Sequence, residues 1–170
     1  MFTAVAPAFL AQVLGETSHA VLGIVVAAAF ESSLLGQMAV ERVGEERSLP
    51  LGCASMILGM GLLIGGLEAE SLALIVLGGV CAGVGQGLSF RAGLAAINRD
   101  APQERRAETV SSYFVVAYTA LAVPVIGVGI AADAWQLRGA GVAFAAIMAT
   151  LAATVLISLR DQLRPAAARG

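Results

Sequence analysis

The chain contains no lysine, one histidine and two cysteines across 170 residues. The lone histidine, His19, has no partner cluster. That removes hydrolytic and metal chemistry, which needs several His, Cys, Asp or Glu side chains converging. Cys53 and Cys81 both lie inside apolar stretches, so they read as small buried apolar residues rather than a disulfide framework. Charge is scarce too: Asp, Glu, Lys and Arg make up 13% of the chain, against about 25% in soluble domains. The formal net charge is −2 with no basic stripe, which excludes nucleic acid as a partner. No metal, cofactor or catalytic residue is expected, and the chain does not read as an enzyme.

What the chain has instead is apolar surface. Hydrophobic residues make up 58% and the mean hydropathy is +0.86, which leaves too few polar residues to coat a water-soluble globule. A membrane-spanning helix needs about 20 mainly apolar residues. Five segments meet that need: residues 19–40, 49–67, 71–92, 110–132 and 139–159. Residues 2–14 are apolar but only about two-thirds of that length. They lack the basic start of a signal peptide and carry Pro7, so they read as a truncated first helix rather than a cleaved address. The expected fold is all-α: a polytopic membrane helix bundle with five full spanning helices plus the truncated first one. It occupies residues 1–159, with a cytoplasmic tail at 160–170.

Twelve consecutive residues, "NRDAPQERRAET" at 98–109, hold six of the scarce charges. Short cytoplasmic loops of membrane proteins collect Arg and Lys. With six segments, the connections after the second, fourth and sixth share one side. They carry Arg42, Arg47, Arg99, Arg105, Arg106, Arg160, Arg164 and Arg169. The opposite side has Arg138 beside Glu16, Glu68, Glu70 and Asp133, with Trp135 at interface height. This separation predicts that 98–109 and the tail face the cytoplasm, the lipid bilayer being the first partner.

Polar side chains inside hydrocarbon must face protein or a wet cavity. The second segment holds Glu31, Ser32, Ser33 and Gln37; the fourth holds Gln86, Ser89 and Arg91; the fifth holds Ser111, Ser112, Tyr113, Tyr118 and Thr119. These three segments are expected to line an interior. The third and sixth, nearly devoid of polar groups, are expected to face lipid. Glu31, near the middle of its segment, is the leading candidate for coupling proton movement to substrate movement, with a hydrogen-bonded structural role as the alternative. Gln86 and Tyr118 are candidate cavity residues. Arg91 is a candidate for an anionic substrate group or, equally, a snorkelling interfacial cation.

Two further patterns concern motion and packing. Gly79, Gly83 and Gly87, four apart in "GGVCAGVGQGLSF", share one helix face and permit close backbone approach. The "GVGQG" portion lacks the preceding strand that a phosphate-binding loop requires. Pro124, followed by Gly127 and Gly129, marks a hinge or a static kink. The connection at 36–52 places Glu41, Arg42, Gly44 and Arg47 as a salt-bridged clamp around a tight glycine turn, or simply as a charged loop.

The pattern as a whole resembles the C-terminal half of a major facilitator superfamily transporter, of the bacterial efflux type. The strongest stretch is "GVGQGLSFRAGLAAINRDAPQERRAETVSSYFVVAYTALAVPVIGVG", similar to that family's tenth and eleventh helices. The 36–52 connection resembles the second copy of the family's Gly–x–x–x–Asp–Arg–x–Gly–Arg loop signature. Here Gly36 stands one residue too far from Glu41, Glu replaces Asp, and Glu45 follows Gly44. The resemblance implies proton-coupled efflux of a small molecule, a conformational clamp at Glu41 and Arg42, and an N-terminal transporter half as partner. That half would lie in the same longer chain or in a separate subunit. The rival expectations are a non-transporting membrane subunit or assembly protein that holds a partner through its glycine face, and an inactive fragment.

Overall fold

The computed structural model describes residues 19–167, apart from the side chains of residues 19, 21, 22, 121, 124, 125, 128, 129, 131–137 and 160–167. The segment at 2–14, expected as a truncated helix, lies outside the described residues. The described chain is helical throughout: α1 (His19–Val43), α2 (Glu45–Glu68), α3 (Leu72–Asp100), a single 3-10 turn (Gln103–Arg105) and α4 (Arg106–Ala167). Among the described residues four stretches are long and apolar enough to cross a membrane: Gly23–Val43, Glu45–Glu68, Leu72–Asp100 and Arg138–Leu159. At about 1.5 Å per residue each covers a hydrocarbon core of about 30 Å. The protein is a helical membrane bundle.

The 36–52 stretch, read from its charges as a loop, is two helix ends and a one-residue joint. α1 continues to Val43, Gly44 adopts φ 86, and α2 begins at Glu45. Glycine fits that left-handed backbone because it has no Cβ to clash. Glu45 and Glu46 in the first turn of α2 complement its positive end. At the other end of α2 the chain reverses within three residues. The Ser71 N–H donates to the Gly66 carbonyl at 3.0 Å and Ala69 N–H to Gly65 at 2.9 Å. Glu70 takes the left-handed position at φ 52. This six-to-one bond closes the helix C-terminus.

α2 and α3 are antiparallel and meet backbone to backbone. A Cβ on Gly85 would lie 2.6 Å from the Gly52 carbonyl oxygen, and one on Gly78 would lie 2.9 Å from that of Gly59. α1 runs parallel to α3 on another face. There Gly83 abuts the Ala29 carbonyl and Ser32, and Gly87 abuts the Ser33 carbonyl. Of the glycine face expected from sequence, Gly83 and Gly87 face α1, while Gly79 is buried. Gly78 and Gly85 form a second glycine face, toward α2.

Of the two segments expected to face lipid, the sixth exposes Ile147, Leu151 and Ile157, while the third is corrected by this arrangement. α2, the third segment, is central rather than peripheral: Cys53, Met60, Leu63 and Leu67 are all buried. Its partners are α3 and the second arm of α4. One cluster joins Val25, Met60, Leu63, Leu67, Ile75 and Ala145. Lack of polar groups therefore marked a helix solvated by other helices as well as by lipid.

The fifth and sixth segments, expected as separate spans at 110–132 and 139–159, belong to one helical run of 62 residues. Residues 110–132 are not among the four spans identified in the described residues. The run is far from straight. Gly85 opposite Gly52 puts Phe90 level with the first turn of α2, and Tyr113 packs on Phe90. Gly141 lies against Leu67, near the far end of α2. A straight helix would separate Tyr113 from Gly141 by about 42 Å and carry Ala145 and Met148 still farther. These two instead pack on the cluster around Leu63 and Leu67, so the path bends back. Between the two arms lie Pro124, Gly127 and Gly129, the residue types at which helices bend. The side chain of Pro124 is outside the described residues, while a Cβ at Gly127 would meet nothing within 4 Å.

The glycine contacts generate a direct test. Gly87→Ala forces α1 and α3 apart and destabilises the bundle by about 1–3 kcal/mol, the usual range for overpacking. Gly61→Ala, at a position where a Cβ meets nothing within 4 Å, is neutral or stabilises by up to about 1 kcal/mol. Thermal unfolding of both variants in the same detergent separates them; equal effects would show that close approach is not what holds α1 on α3.

Candidate functional site: an aromatic cleft between α3 and α4

With α1 and α2 occupying two faces of α3, its third face carries Gln86, Ser89, Phe90 and Gly93. The spacing i, i+3, i+4, i+7 puts these four on one side of a helix. The first arm of α4 approaches that side with Tyr113, Phe114, Ala117 and Tyr118. These residues of α4, with Gln86, Ser89 and Phe90 of α3 and Met56 of α2, line a cleft of about 340 Å³, within the range of small-molecule sites.

Both tyrosines of the chain and two of its six phenylalanines gather here. The ring centroids of Phe90 and Tyr113 are 5.8 Å apart, those of Tyr113 and Phe114 5.9 Å, and those of Phe114 and Tyr118 6.2 Å. These are ordinary aromatic packing distances. The Tyr113 hydroxyl donates to the Phe90 carbonyl at 3.3 Å. Ser33 of α1 reaches across to Gln86 and donates to its Oε1. Ser89 turns its Oγ against Gly52 and finds no hydrogen-bond partner among the described residues. Tyr118, 69% exposed, stands at the open rim of the cleft.

Of the candidate residues read from sequence, Gln86 and Tyr118 are brought together here, and Glu31 and Arg91 are not. Glu31 is exposed at the midpoint of α1, flanked by exposed Phe30, Leu34 and Leu35. It makes no ion pair among the described residues. Arg91 pairs with Glu41 at 2.7 Å, tying the end of α1 to α3. The clamp at Glu41 thus closes on Arg91 rather than on its neighbour Arg42, which is exposed. A second tie joins Arg99 to Glu45 at 3.0 Å. The charged run at 98–109 therefore begins as the end of α3, fastened to the start of α2.

The opposite end of the bundle has its own tie. Arg138 donates to the Glu68 carbonyl at 2.7 Å, to the Glu68 carboxylate at 3.2 Å and to Glu70 at 3.4 Å. The aromatic group was not singled out from sequence. Its signal was present in the four-residue spacing of Gln86 with Phe90 and of Phe114 with Tyr118.

Among the described residues no three His, Cys, Asp or Glu side chains gather as a metal site requires. Cys53 and Cys81 are free thiols. The chain matches no protein-family model, no curated protein and no solved structure.

The Arg91–Glu41 pair is 45% and 71% exposed, so its strength is set by solvent screening. A double-mutant cycle with Arg91→Ala and Glu41→Ala gives a coupling of about 0.2–1 kcal/mol, as exposed pairs do. Raising the salt concentration lowers it. A coupling several times larger, measured by unfolding in detergent, would mean that the pair is shielded from water in the membrane.

Proposed function

We propose that this chain is one bundle of a secondary active transporter of the major facilitator type, equivalent to its C-terminal half. In this reading it exports a small molecule from bacteria with proton coupling. Its tail and the arginine-rich end of the bundle face the cytoplasm. It works against an N-terminal half, in the same longer chain or in a second subunit, with alternating access produced by rocking one bundle against the other.

The observation that carries the reading is the cleft itself. In a molecule built of apolar helices, Gln86 and Tyr118 from two different helices converge on one open, ring-lined space. Polar side chains inside a membrane bundle that face a cavity rather than lipid are candidates for substrate or ion contact. The clustering of charged ties at the two ends of the bundle fits two gates with a site between them.

Glu31 supplies the coupling candidate. A carboxylate at the centre of a spanning helix costs about 2.5–3.5 kcal/mol on insertion scales. Protonation, or burial against a second bundle, removes that cost. The same exposed face favours a second reading, a subunit that holds a partner without moving anything.

The chain co-reconstituted with its partner bundle in proteoliposomes tests both. Glu31→Gln is expected to abolish proton-coupled flux while leaving the two bundles associated. Full coupling in that variant removes Glu31 from the mechanism. Stable association with no flux in the unmodified pair favours the non-transporting subunit.

A further inference from the structure

We infer that the cleft between α3 and the first arm of α4 takes an uncharged, planar aromatic molecule bearing one hydrogen-bond acceptor. As a ligand it stands on the cleft geometry alone; as the transported substrate it rests on the function proposed above.

The apolar part of the recognition comes from Phe90, Phe114 and Tyr118, which cluster with Tyr113; Phe114 and Tyr118 are near parallel at 27°, and the other pairs are inclined at 42–71°. A flat ring system stacks on the near-parallel pair and meets the inclined rings edge to face, and such ring–ring contact adds to its burial.

The polar part centres on Gln86, with Tyr118 as a second polar residue of the lining. The Tyr113 hydroxyl is committed to the Phe90 carbonyl, and the Ser89 Oγ is turned to Gly52. Gln86 accepts the Ser33 hydroxyl at Oε1, which leaves its NH₂ group to donate. An occupant that offers a carbonyl or ether oxygen satisfies that donor. One that offers nothing leaves it unpaired in a site from which the ligand has displaced water.

Charge is what the lining lacks. None of its described residues is Asp, Glu, Arg, Lys or His. Arg91, next to Phe90, is already paired with Glu41. An ammonium would find ring faces but no counter-charge, and a carboxylate would find an amide donor but no cation. In a low-dielectric cleft, desolvation of a lone charge exceeds what a ring face returns.

The test uses the full chain in lipid nanodiscs, with empty nanodiscs as the blank, and equilibrium dialysis of three rings of similar size. 9-Fluorenone has the acceptor, fluorene lacks it, and 9-aminoacridine is cationic. 9-Fluorenone is expected to bind about tenfold tighter than fluorene, the worth of one neutral hydrogen bond, and 9-aminoacridine no better than the blank. Gln86→Leu abolishes the advantage of 9-fluorenone while fluorene still binds, which also reports that the variant is folded. Tyr118→Ala, at an exposed position, weakens both.

Equal binding of fluorenone and fluorene, tighter binding of the acridine, or an unchanged preference in Gln86→Leu overturns the inference. A chain that binds 9-fluorenone yet moves nothing after reconstitution keeps this ligand class and loses the transport reading. A transporter that carries only charged compounds does the reverse.

Discussion

Everything in this bundle depends on how closely α3 approaches its two neighbours. Between helices in lipid there is no hydrophobic gain from hiding apolar surface, because acyl chains solvate leucine as well as another helix does. What remains is dispersion between atoms in contact, which falls off steeply with a gap of even half an ångström, and weak Cα–H···O contacts between backbones. Glycine maximises both. The paired approaches of Gly52 with Gly85 and of Gly59 with Gly78 are seven residues apart on each helix. They form a seam in which carbonyl oxygens of one helix sit over α-carbons of the other. A methyl group at any of the four would hold the helices apart along the whole seam.

The polar groups obey a complementary constraint. In water a serine or glutamine on a helix surface costs nothing, but in hydrocarbon each needs a partner. Ser32 donates to the Ala29 carbonyl at 2.9 Å, Ser55 to the Cys81 carbonyl at 2.7 Å, and Ser33 to Gln86. On the first arm of α4, Thr119 donates to Val115 at 2.8 Å, one turn back in its own helix. Most full charges have been moved to the ends of the bundle, where ion pairs fasten one helix terminus to the next. Glu31 breaks this pattern, and so does the Ser89 Oγ. Functional sites are where such local rules are broken, and these two exceptions lie on α1 and α3, the helices the Gly83 and Gly87 contacts lock together.

How much of this was legible in the sequence follows from what hydropathy measures. The apolar runs located four helices because a run of about 20 apolar residues has few other uses. Their ends were misplaced for a physical reason. Hydropathy reports where lipid stops, while a helix persists as it emerges into water, so α1 continues through Glu41 and Arg42 and α3 through Arg99. The same blindness put the third segment against lipid, since a helix surrounded by helices and one surrounded by acyl chains have equally apolar sequences. The correct signal was the seven-residue spacing of Gly52, Gly59 and Gly66, which marks close neighbours rather than lipid. Gln86 and Tyr118 were found because polarity in an apolar helix is conspicuous. Tyr113 was marked as an interior-lining polar residue for the same reason, whereas Phe90 and Phe114 were not found, because phenylalanine in a membrane helix is indistinguishable from ordinary apolar filling until a second helix brings the rings together.

The distribution of contacts also dictates which part of the molecule is free to move. α1 and α2 are each joined to α3 by backbone contacts in which a carbonyl sits in a notch where a glycine lacks a side chain. The second arm of α4 is keyed into the α2 cluster by Ala145 and pinned by Arg138 at its start. The first arm has neither device. Among the described residues it meets α3 through ring contacts and one 3.3 Å hydrogen bond from Tyr113, and it carries exposed Val115, Val116, Val123, Ile126 and Ile130. Rings slide over one another at little cost, whereas interlocked backbones do not. The first arm of α4 is therefore the least fastened part of the described bundle, joined to the second arm by the stretch holding Pro124, Gly127 and Gly129, whereas the wall formed by Gln86 and Phe90 belongs to α3, which the glycine contacts hold.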